Sequence, residues 1–539
     1  MLNLENTFAN PAFIADAGYQ APHRFLIMGL GESGVAMAKW CLRNGAAVRL
    51  VDTRDQSQFS ERQNAWLDEL KIDGLKDIQF GPFNDELLVD IDAIGISPGL
   101  SPFLEPTQSF LAKARKARID VWSEIEFFAR AIASLGRMAQ TAESSYEAAV
   151  LAITGTNGKT TTTALTGQLC ERAGKKVAVA GNISPAALDK LMSCLNEADQ
   201  IEDMPDIWVL ELSSFQLVYT YTLNATAASV LNITQDHLDW HGDMQAYADA
   251  KARIFGVDTI CILNRDDSLV MGLLSDEQKA EKLIVTFGSN KPDEQGAFGI
   301  EHDLRAGGID WLVWAEVDED LEPKPKRRRK STAIEEDEPL RLKRLIPADA
   351  LRIRGRHNAL NALAALALAR AAGLPMNVLL HGLRDYHGEP HRVQSIAVVN
   401  DVEYIDDSKG TNVGATVAAL NGLGSNESGK RIWLIAGGDG KGQDFSPLRE
   451  PALRFVKGVF LIGKDGAAIG EAIGDVPCTM SGNLAEAVKT AAQQAQSGDL
   501  VLLSPACASF DQFKDYVARA QVFVEEVEEL GMRFEGVQA

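Results

Sequence analysis

The sequence predicts an α/β protein with mostly parallel sheets, divided into several domains. Its 539 residues correspond to about three or four domains at roughly 150 residues each. Short apolar runs typical of strands alternate with helical patterns throughout the chain, which indicates parallel sheets covered by helices. The predicted strands span residues 25–28, 48–51, 93–97, 151–154, 177–180, 207–212, 229–232, 260–264, 431–436, 459–462 and 500–504. Several of them end in small polar residues, at the strand ends where ligands bind in open α/β sheets.

Composition narrows the class of protein. Lys and Arg number 53 against 75 Asp and Glu, a net charge of −22, which disfavours nucleic acid or an anionic membrane as the main partner. The six cysteines include no C-x-x-C pair, which argues against a disulfide framework or structural zinc site and fits a reducing cytoplasm. The first thirty residues lack a signal-peptide pattern. The apolar stretch 359–374 is interrupted by Asn361 and Arg370, so we interpret it as a buried helix rather than a membrane span.

Composition shifts suggest three domains, at 1–118, 119–387 and 388–539. Residues 316–339 hold nine acidic and six basic side chains with hardly any apolar residue. Such a segment cannot bury enough surface to order itself. We interpret it as a solvated insertion loop; the alternative is a nucleic-acid or localisation patch, which the flanking acidic blocks disfavour.

The first site motif lies between the predicted strand 151–154 and a helical pattern. It comprises two glycines followed by a lysine and a threonine: Gly155, Thr156, Asn157, Gly158, Lys159, Thr160 and Thr161. Backbone N–H groups at a helix N-terminus attract phosphate oxygens, Lys159 can reach the β- and γ-phosphates, and the Thr160 hydroxyl can bind Mg²⁺. Ile153 replaces the first glycine of the common phosphate-loop motif. A glycine-rich structural turn is the alternative.

Two further strand ends carry candidate metal or catalytic side chains. Glu211 ends the predicted strand 207–212, where its carboxylate could bind Mg²⁺. The loop at 232–242 follows the next strand and contains His237 and His241. We assign His241 to the ordinary core or surface.

The N-terminal region contains a second glycine loop. Gly29, Gly31 and Gly34 follow a strand and precede a helix, and Asp52 ends the next strand. By motif alone this is a dinucleotide-binding fingerprint.

Taken together, the motifs resemble the Mur ligase family of ATP-dependent amide-forming ligases. The ATP-site motifs are GTNGKTT (155–161), ELSSFQ (211–216), NITQDHLDWHG (232–242) and AYADAKARIF (246–255). The later motifs are similar to those of the D-glutamate-adding members: RGRHNALNALAA (354–365), EPHRV (389–393), DDSKGTNVGAT (406–416), GGDGKGQDFSPL (437–448) and LSPACASFDQFKDY (503–516).

The resemblance implies a fold and a reaction. The fold has an N-terminal Rossmann-like domain for the UDP moiety, a central P-loop ATPase domain and a C-terminal Rossmann-like domain for the amino acid. In the reaction, ATP phosphorylates the carboxylate of UDP-N-acetylmuramoyl-L-alanine, and the D-glutamate amine attacks the acyl phosphate. A tetrahedral intermediate then expels phosphate, in peptidoglycan precursor synthesis. We expect a cytoplasmic monomer with small-molecule substrates, no nucleic-acid partner and no stable membrane insertion.

The resemblance also implies two Mg²⁺ sites and a modified lysine. One ion lies between the phosphates with help from Thr160 and Glu211, and the second lies near His237. Lys251 matches the carbamylated lysine of the family, and carbamylation would convert a cation beside a divalent ion into an anion. A plain surface lysine is the alternative for Lys251. The catalytic residues by this resemblance are Lys159, Glu211, His237, Lys251 and Lys441.

The resemblance also assigns the substrate contacts to individual residues of this sequence. ATP is implied to contact the phosphate loop together with Asn358, Asn361, Arg392 and Asp407, with His391 beside Arg392; alternatively, the two asparagines cap a helix. The D-glutamate residues are Lys409, Thr411, Lys441, Ser509, Phe510 and Tyr516, although either lysine could be a solvated charge. The UDP-substrate residues are Gly31, Glu32, Ser33, Thr53, Arg54, Ser97, Gly99, Asn182 and His237.

The sequence departs from the family pattern at three places, and two other functions are alternatives. Ser184 replaces a usual glycine near Asn182, and the chain carries an N-terminal extension of about twenty residues and insertions that include 316–339. A ligase for L-alanine, meso-diaminopimelate, lysine or a folate-linked glutamate would use the same chemistry. A nucleotide-regulated binding module or an NAD-linked protein would explain the two glycine loops but not the C-terminal motifs.

Overall fold

The N-terminal unit is a five-stranded parallel sheet, formed between residues 24 and 122, in the order β3-β2-β1-β4-β5. The computed structural model describes residues 2–14, 20–144, 146–304, 308–316, 341–424 and 431–538, with 533–538 as backbone alone. The strands are β1 (Arg24–Met28), β2 (Ala47–Asp52), β3 (Asp77–Phe80), β4 (Ala93–Ile96) and β5 (Asp120–Trp122); the helices are α1 (Glu32–Arg43), α2 (Glu61–Ile72) and α3 (Thr107–Lys116). Strand β5 lies beyond the predicted boundary at 118, because it pairs with β4 in this sheet.

The central unit is a nine-stranded sheet in the order β14-β13-β12-β11-β10-β9-β6-β8-β7. Its neighbours are parallel except where β13 pairs with β12 and β14. The strands are β6 (Ala149–Thr154), β7 (Val177–Gly181), β8 (Ile207–Glu211), β9 (Ala227–Val230), β10 (Ile260–Asn264), β11 (Ile284–Phe287), β12 (Phe298–Asp303), β13 (Ile309–Ala315) and β14 (Leu342–Pro347). The predicted insertion 316–339 connects β13 to β14 and lies outside the described residues except for Glu316.

Ten helices follow in this unit among the described residues. They are α4 (Glu124–Thr141), α5 (Lys159–Arg172), α6 (Ala187–Glu197), α7 (Ser214–Leu217), α8 (Leu238–His241), α9 (Met244–Ala252), α10 (Ser268–Met271), α11 (Asp276–Glu281), α12 (Arg356–Ala371) and α13 (Met376–Asp385). The residues of α12 from Ala362 to Ala369 are all buried, which confirms the buried helix predicted from the apolar stretch. In the ranges that the structure covers, no helix is both long and apolar enough to cross a membrane.

The C-terminal unit is a six-stranded sheet in the order β15-β16-β20-β17-β18-β19, parallel except for the β15–β16 pair. The strands are β15 (Gln394–Val399), β16 (Val402–Asp406), β17 (Ile432–Gly437), β18 (Val456–Ile462), β19 (Cys478–Gly482) and β20 (Leu500–Leu503). The helices are α14 (Val413–Leu423), α15 (Arg449–Phe455), α16 (Gly466–Ile473), α17 (Leu484–Gln494) and α18 (Tyr516–Gln538). The three-domain α/β fold with mostly parallel sheets is thus confirmed.

The cores show how the three units are joined. One cluster of buried apolar side chains extends from Phe25 on β1 through Phe128 on α4 to Trp208 on β8, so the first two units share a core. The buried clusters around β16–β20 contain only residues of the C-terminal unit. That unit therefore meets the others mainly through the polar loops at the carboxyl ends of the strands.

Candidate active site

The phosphate loop runs between β6 and α5 and is fastened to the end of the neighbouring strand β9. Gly158 precedes α5 with a φ of +84°, and a Cβ there would lie 2.5 Å from Asn361 Oδ1. The backbone N–H groups of Thr156 and Asn157 donate to the backbone and side-chain oxygens of Asn232, at 2.9 and 2.8 Å. This glycine is required by both conformation and space, so the loop is more than a generic turn.

Cationic side chains from two domains meet at this loop. Lys159 Nζ donates to the carbonyls of Gly155 and Thr156, both at 2.8 Å. Burial lowers the pKa of Lys159, and Glu211 and Asp236 partly oppose that shift. Across the domain boundary, Arg392 Nη2 and Lys409 Nζ donate to Thr160 Oγ1 at 2.8 and 3.4 Å.

Glu211 offers a free carboxylate oxygen beside the loop. The residue is 3% exposed, and its Oε1 accepts a hydrogen bond from Asn182 Nδ2 at 2.8 Å. Its Oε2 is buried and has no hydrogen-bond partner in the described part of the chain. A buried, unsatisfied carboxylate oxygen is costly unless a proton or cation meets it, so Glu211 together with Thr160 fits the Mg²⁺ expected there.

His237, the residue before α8, has a left-handed backbone conformation. Its φ is +54°, its backbone N–H donates to Asp236 Oδ1 at 2.9 Å, and its Nε2 lies 3.5 Å from Asp236 Oδ2. Burial lowers the pKa of His237 and Asp236 opposes the shift, whereas Lys441 and Lys159 reinforce it. His241 is buried, contacts Ser214 Oγ at 2.9 Å, and has its pKa lowered to about 3 by burial, which places it in the core.

Lys251 lies beneath the phosphate loop rather than on the surface. It is 1% exposed, and its Nζ donates to the Gly155 carbonyl at 2.9 Å and lies 3.5 Å from Thr154 Oγ1. The ammonium is 4.5 Å from the centre of the Tyr247 ring. Burial, reinforced by Lys159, lowers the pKa of Lys251 well below its usual range. The surface-lysine alternative is therefore wrong.

A cavity of about 250 Å³ adjoins the loop between the central and C-terminal units. Asn361 Nδ2 donates to Asn358 Oδ1 at 3.1 Å, and Asn358 Nδ2 donates to the Arg354 carbonyl at 2.8 Å. Neither asparagine caps α12, whose N-cap is Gly355 without a side-chain bond. Burial raises the pKa of Asp407 to about 7 against the opposing effects of Ser504 and Arg392. The predicted ATP residues that line this cavity are Asn157, Gly158, Thr161, Asn358, Asn361, Arg392 and Asp407.

A second cavity of about 410 Å³ lies on the other side of the loop. Burial, reinforced by Arg392, lowers the pKa of Lys409 to about 8, and its Nζ lies 5.5 Å from the Tyr516 ring centre. The cavity combines residues predicted for phosphate, metal, UDP-substrate and D-glutamate contacts. They are Thr156, Asn157, Gly158, Lys159, Thr160, Asn182, Glu211, His237, Arg392, Lys409, Thr411 and Tyr516.

Three predicted D-glutamate residues lie apart from this group. Lys441 is exposed, with a φ of +51°. Ser509 is buried after β20, whereas Phe510 is 70% exposed. None of the three lines either cavity in the part of the chain that the structure covers, and neither does Lys251.

The predicted UDP loop is a tight strand-to-helix turn. A Cβ on Gly34 would lie 1.9 Å from the Gly29 carbonyl oxygen, to which Ser97 Oγ donates at 3.1 Å. Asp52 accepts hydrogen bonds from the Leu30 N–H at 2.8 Å and from Arg54 Nε and Nη2 at 2.9 and 2.7 Å. Both carboxylate oxygens are thus engaged, which disfavours the NAD ribose contact.

The other UDP residues lie around this turn. Gly31 precedes α1, and Glu32 and Ser33 form its first turn, while Thr53 is exposed and Gly99 lies in the loop after β4. Glu32 Oε1 accepts from Ser184 Oγ at 2.9 Å. Ser184, which replaces a glycine that is usual in the family, therefore links the N-terminal and central units beside Asn182.

Several site residues were missed by the sequence analysis, although they lie in its motifs. Asp236 and Asn412 line the second cavity, Tyr247 contacts Thr156 Oγ1 at 3.1 Å, and Ser504 Oγ donates to Asp407 Oδ2 at 2.7 Å. The only signal for these four residues was that they lie in the motifs, and nothing in the sequence distinguished them from neighbouring motif residues.

Comparison with known proteins covers most of the chain. Residues 23–123, 153–369 and 391–507 match family models described as the Mur ligase MurD-like N-terminal domain, the Mur ligase middle domain and the Mur ligase glutamate ligase domain. The UDP-N-acetylmuramoylalanine–D-glutamate ligase of Cupriavidus pinatubonensis is 55% identical over 520 residues, 95% of this chain and 98% of the relative. That of Cupriavidus metallidurans is 56% identical over 522 residues, with the same shares covered.

Solved structures agree on the fold. A crystal structure of MurF from Acinetobacter baumannii has a TM-score of 0.55 at 18% identity and covers 97% of this chain and 100% of that one. MurF ligase from Thermotoga maritima in complex with ADP has a TM-score of 0.55 at 17% identity and covers 90% of this chain and 95% of that one.

Proposed function

This chain belongs to the Mur ligase family, and we propose that it uses ATP to join D-glutamate to UDP-N-acetylmuramoyl-L-alanine in peptidoglycan precursor synthesis. The observation that carries the proposal is the meeting of two domains at the phosphate loop. Thr160 of the central unit accepts hydrogen bonds from Arg392 and Lys409 of the C-terminal unit. The relatives named as D-glutamate ligases, more than half identical to this chain, support the choice of amino acid.

The chemistry follows from the weakness of a carboxylate as an electrophile. Transfer of the γ-phosphoryl group to the substrate carboxylate supplies a leaving group, and the amine of D-glutamate then attacks the acyl carbon. The resulting tetrahedral intermediate expels phosphate and leaves an amide and ADP. Catalysis of such a transfer depends on positioning and on neutralising phosphate charge. Lys159, Arg392 and Lys409 are suited to hold the phosphates, because all three lie around Thr160 in one cavity.

We assign the magnesium ligands from the family pattern, supported at Glu211 by a carboxylate oxygen that has no hydrogen-bond partner among the described residues. Glu211 Oε2 and Thr160 Oγ1 would hold one ion, and His237 together with carbamylated Lys251 would hold the second. When bound, magnesium offsets the negative charge of the phosphates. Burial favours carbamylation of Lys251, because a lowered pKa keeps the amine neutral and able to add carbon dioxide with loss of a proton.

The remaining substrate contacts are proposals from the family pattern. Asn358, Asn361 and Asp407 would hold the nucleoside of ATP in the smaller cavity. D-Glutamate would meet Lys409, Thr411 and Tyr516 first, with Lys441, Ser509 and Phe510 completing its site. The UDP moiety would bind at the α1 turn, with Gly31, Glu32, Ser33, Thr53, Arg54, Ser97, Gly99 and Asn182, and His237 would face the end of the substrate that reacts.

We also propose a cytoplasmic monomer that acts on small molecules without a nucleic-acid partner. All six cysteines are described and free, as a reducing compartment favours. The net charge of −22 opposes binding to polyanions.

Phosphate release from ATP tests the proposed function. We expect release only when UDP-N-acetylmuramoyl-L-alanine and D-glutamate are both present, and none from the Lys159→Ala variant. L-Alanine, meso-diaminopimelate and lysine should neither replace D-glutamate nor compete with it at equal concentration. Release without D-glutamate, or equal use of another amino acid, would refute the assignment.

A further inference from the structure

Asn412 connects the C-terminal domain to two loops of the central domain through one side chain. The residue is 5% exposed and precedes α14, three positions after Lys409. Its Nδ2 donates to Asn157 Oδ1 at 3.0 Å and to Asp236 Oδ2 at 3.3 Å. In return, Asn157 Nδ2 donates to Asn412 Oδ1 at 3.2 Å. A single amide thus contacts the phosphate loop and the loop that carries His237.

The same side chain also caps a helix. Asn412 Oδ1 accepts a hydrogen bond from the Ala415 N–H at 2.9 Å, as expected of an N-cap residue. The first turn of α14 approaches the central domain closely: a Cβ on Gly414 would lie 3.0 Å from Thr234 Oγ1 and 3.1 Å from Asn157 Nδ2. The capped helix and the two loops therefore form one packed contact.

We propose that Asn412 is a positioning residue that couples docking of the C-terminal domain to the geometry of the phosphate loop and of the Asp236–His237 loop. The inference rests on the proposed function and adds to it a residue without an assigned role. When Asn412 engages Asn157 and Asp236, the segment 409–412 that would hold D-glutamate takes a fixed position relative to the phosphates. The amine can then attack the acyl phosphate from a defined position.

The required chemistry is specific to an asparagine amide. The side chain must donate to Asn157 and Asp236 while it accepts from Asn157 and Ala415. Aspartate keeps the cap and the acceptor but loses both donated bonds, and it places a second carboxylate beside Asp236. Serine keeps the cap but is too short to reach across the domain boundary. These two substitutions separate docking from helix capping.

The main test compares Asn412→Asp with a matched cap variant, Asn483→Asp. Asn483 caps α17 by accepting from the Glu486 N–H at 3.0 Å and is exposed. We expect Asn412→Asp to lower kcat about tenfold or more, because it loses the two hydrogen bonds that the buried Asn412 donates, one of them to a carboxylate. We also expect it to raise the KM for D-glutamate. The KM for the UDP substrate and the unfolding midpoint should stay near those of the parent, and Asn483→Asp should match the parent throughout. A kcat within twofold of the parent, or an equal loss in Asn483→Asp, would overturn the proposal.

A double-mutant cycle tests the Asn412–Asn157 pair itself. Asn412→Ser and Asn157→Ala each remove one half of the amide pair. If the pair acts as a unit, the double variant should lose clearly less kcat than the product of the two single losses. Losses that multiply would contradict coupling between these residues.

Hydrogen exchange on the full-length protein separates this inference from the proposed function. With ATP and Mg²⁺ present, we expect amides 412–416 and 155–158 to exchange faster in Asn412→Asp than in the parent, whether or not D-glutamate is the substrate. An unchanged exchange pattern would overturn the positioning role. Failure of the parent to use D-glutamate would instead overturn the proposed function alone.

Discussion

At the residue scale, burial changes the chemistry of Lys251 most strongly. Its ammonium has a backbone carbonyl, a hydroxyl and an aromatic ring around it, and Asp236 opposes without overcoming the burial that lowers its pKa. A permanent cation in such a site would be costly. Conversion to a carbamate would replace that cation with an anion near the phosphate loop, whose charge bound magnesium could offset.

We expect Lys251→Ala to lower kcat about 100-fold or more, because loss of a charged group that orders a phosphate site has effects of that size. The variant should remain folded and recover part of its activity in the presence of a short carboxylic acid. Lys282→Ala is a control, since Lys282 also donates to backbone carbonyls, those of Gly256 and Val257, but these lie outside the phosphate loop. Full activity of Lys251→Ala without added acid would refute the assigned role.

Glu124 is a second residue whose burial has a measurable consequence. Its Oε1 accepts from the Leu188 N–H at 2.6 Å, and no described residue donates to its buried Oε2. Burial raises the pKa of Glu124 from its ordinary 4.5 to about 8. The folded protein therefore binds a proton that the unfolded chain releases between these pH values, so Glu124 makes stability fall as pH rises from about 4.5 to about 8.

Replacement of Glu124 by glutamine removes this pH dependence. We expect the free energy of unfolding of the parent to fall relative to Glu124→Gln by up to about 1.4 kcal/mol per pH unit between pH 5.5 and 7.5. Urea unfolding of both proteins at several pH values measures the difference. Parallel stability profiles for the two proteins would show that Glu124 does not titrate in this window.

The sequence located individual site residues only where a motif singles them out. Lys159 and Glu211 were identifiable because a phosphate loop and a strand end have recognisable patterns. Asn412 and Asp236 are equally close to the cavity, but their role depends on contacts between segments about 176 residues apart in the chain. Such convergence has no local sequence signal.

At the element scale, the phosphate loop depends on a glycine that α12 also constrains. A Cβ at position 158 would clash with Asn361 Oδ1 at 2.5 Å. Gly174, which follows α5, shares a positive φ but has open space around it. The two positions thus separate the conformational cost of a side chain from its steric effect.

We expect Gly158→Ala to weaken ATP binding at least tenfold in calorimetry, because the loop must shift away from Asn361. Gly174→Ala should cost about 1 kcal/mol of stability for its φ and leave ATP affinity unchanged. Equal ATP affinities for the two variants would contradict this account of the loop.

A buried ion pair on helix α4 connects this helix to the N-terminal segment that contains Phe8. Arg130 Nε donates to Glu126 Oε1 at 2.7 Å, and Arg130 Nη1 donates to the Phe8 carbonyl at 3.0 Å. Glu126 also accepts from the N–H groups of Tyr221 and Thr222, at 2.7 and 2.8 Å. The pair therefore joins the N-terminal segment, α4 and the loop after α7.

We expect Arg130→Ala to destabilise the protein by about 3–5 kcal/mol, because it leaves the buried Glu126 carboxylate without its opposite charge. Adding Glu126→Gln should recover part of that loss in urea unfolding. Arg137→Ala, on the same helix but partly exposed, should change stability by less than about 1 kcal/mol. A double variant no more stable than Arg130→Ala would contradict the ion-pair explanation.

The eleven predicted strands are mostly apolar, and the strands that were missed include short, polar and edge strands as well as the largely apolar interior strands β11 and β13. All eleven predicted strands are present. The missed β3 and β19 have mostly half-exposed or exposed residues, and β5 has three residues. The missed β16 mixes apolar with charged residues (VEYID), so an apolar run could not reveal it.

At the scale of the whole molecule, the cores divide the chain into a rigid pair of domains and a separate third one. The N-terminal and central units share one apolar core, and Ser101 Oγ also donates to the Trp240 carbonyl at 2.7 Å. The C-terminal unit meets the central unit through polar contacts such as Arg354 with Glu403 at 2.9 Å. Polar interfaces of this kind permit domain motion, so opening and closing of the C-terminal domain should admit substrates and release products.

The central claim is that the three domains converge so that ATP activates a substrate carboxylate for capture by D-glutamate. Mass spectrometry of both products, formed from UDP-N-acetylmuramoyl-L-alanine labelled with ¹⁸O in its terminal carboxylate, tests this directly. We predict a product extended by one D-glutamate residue that keeps one ¹⁸O, together with inorganic phosphate that carries the other. Unlabelled phosphate, or a UDP substrate recovered without an added amino acid, would contradict it.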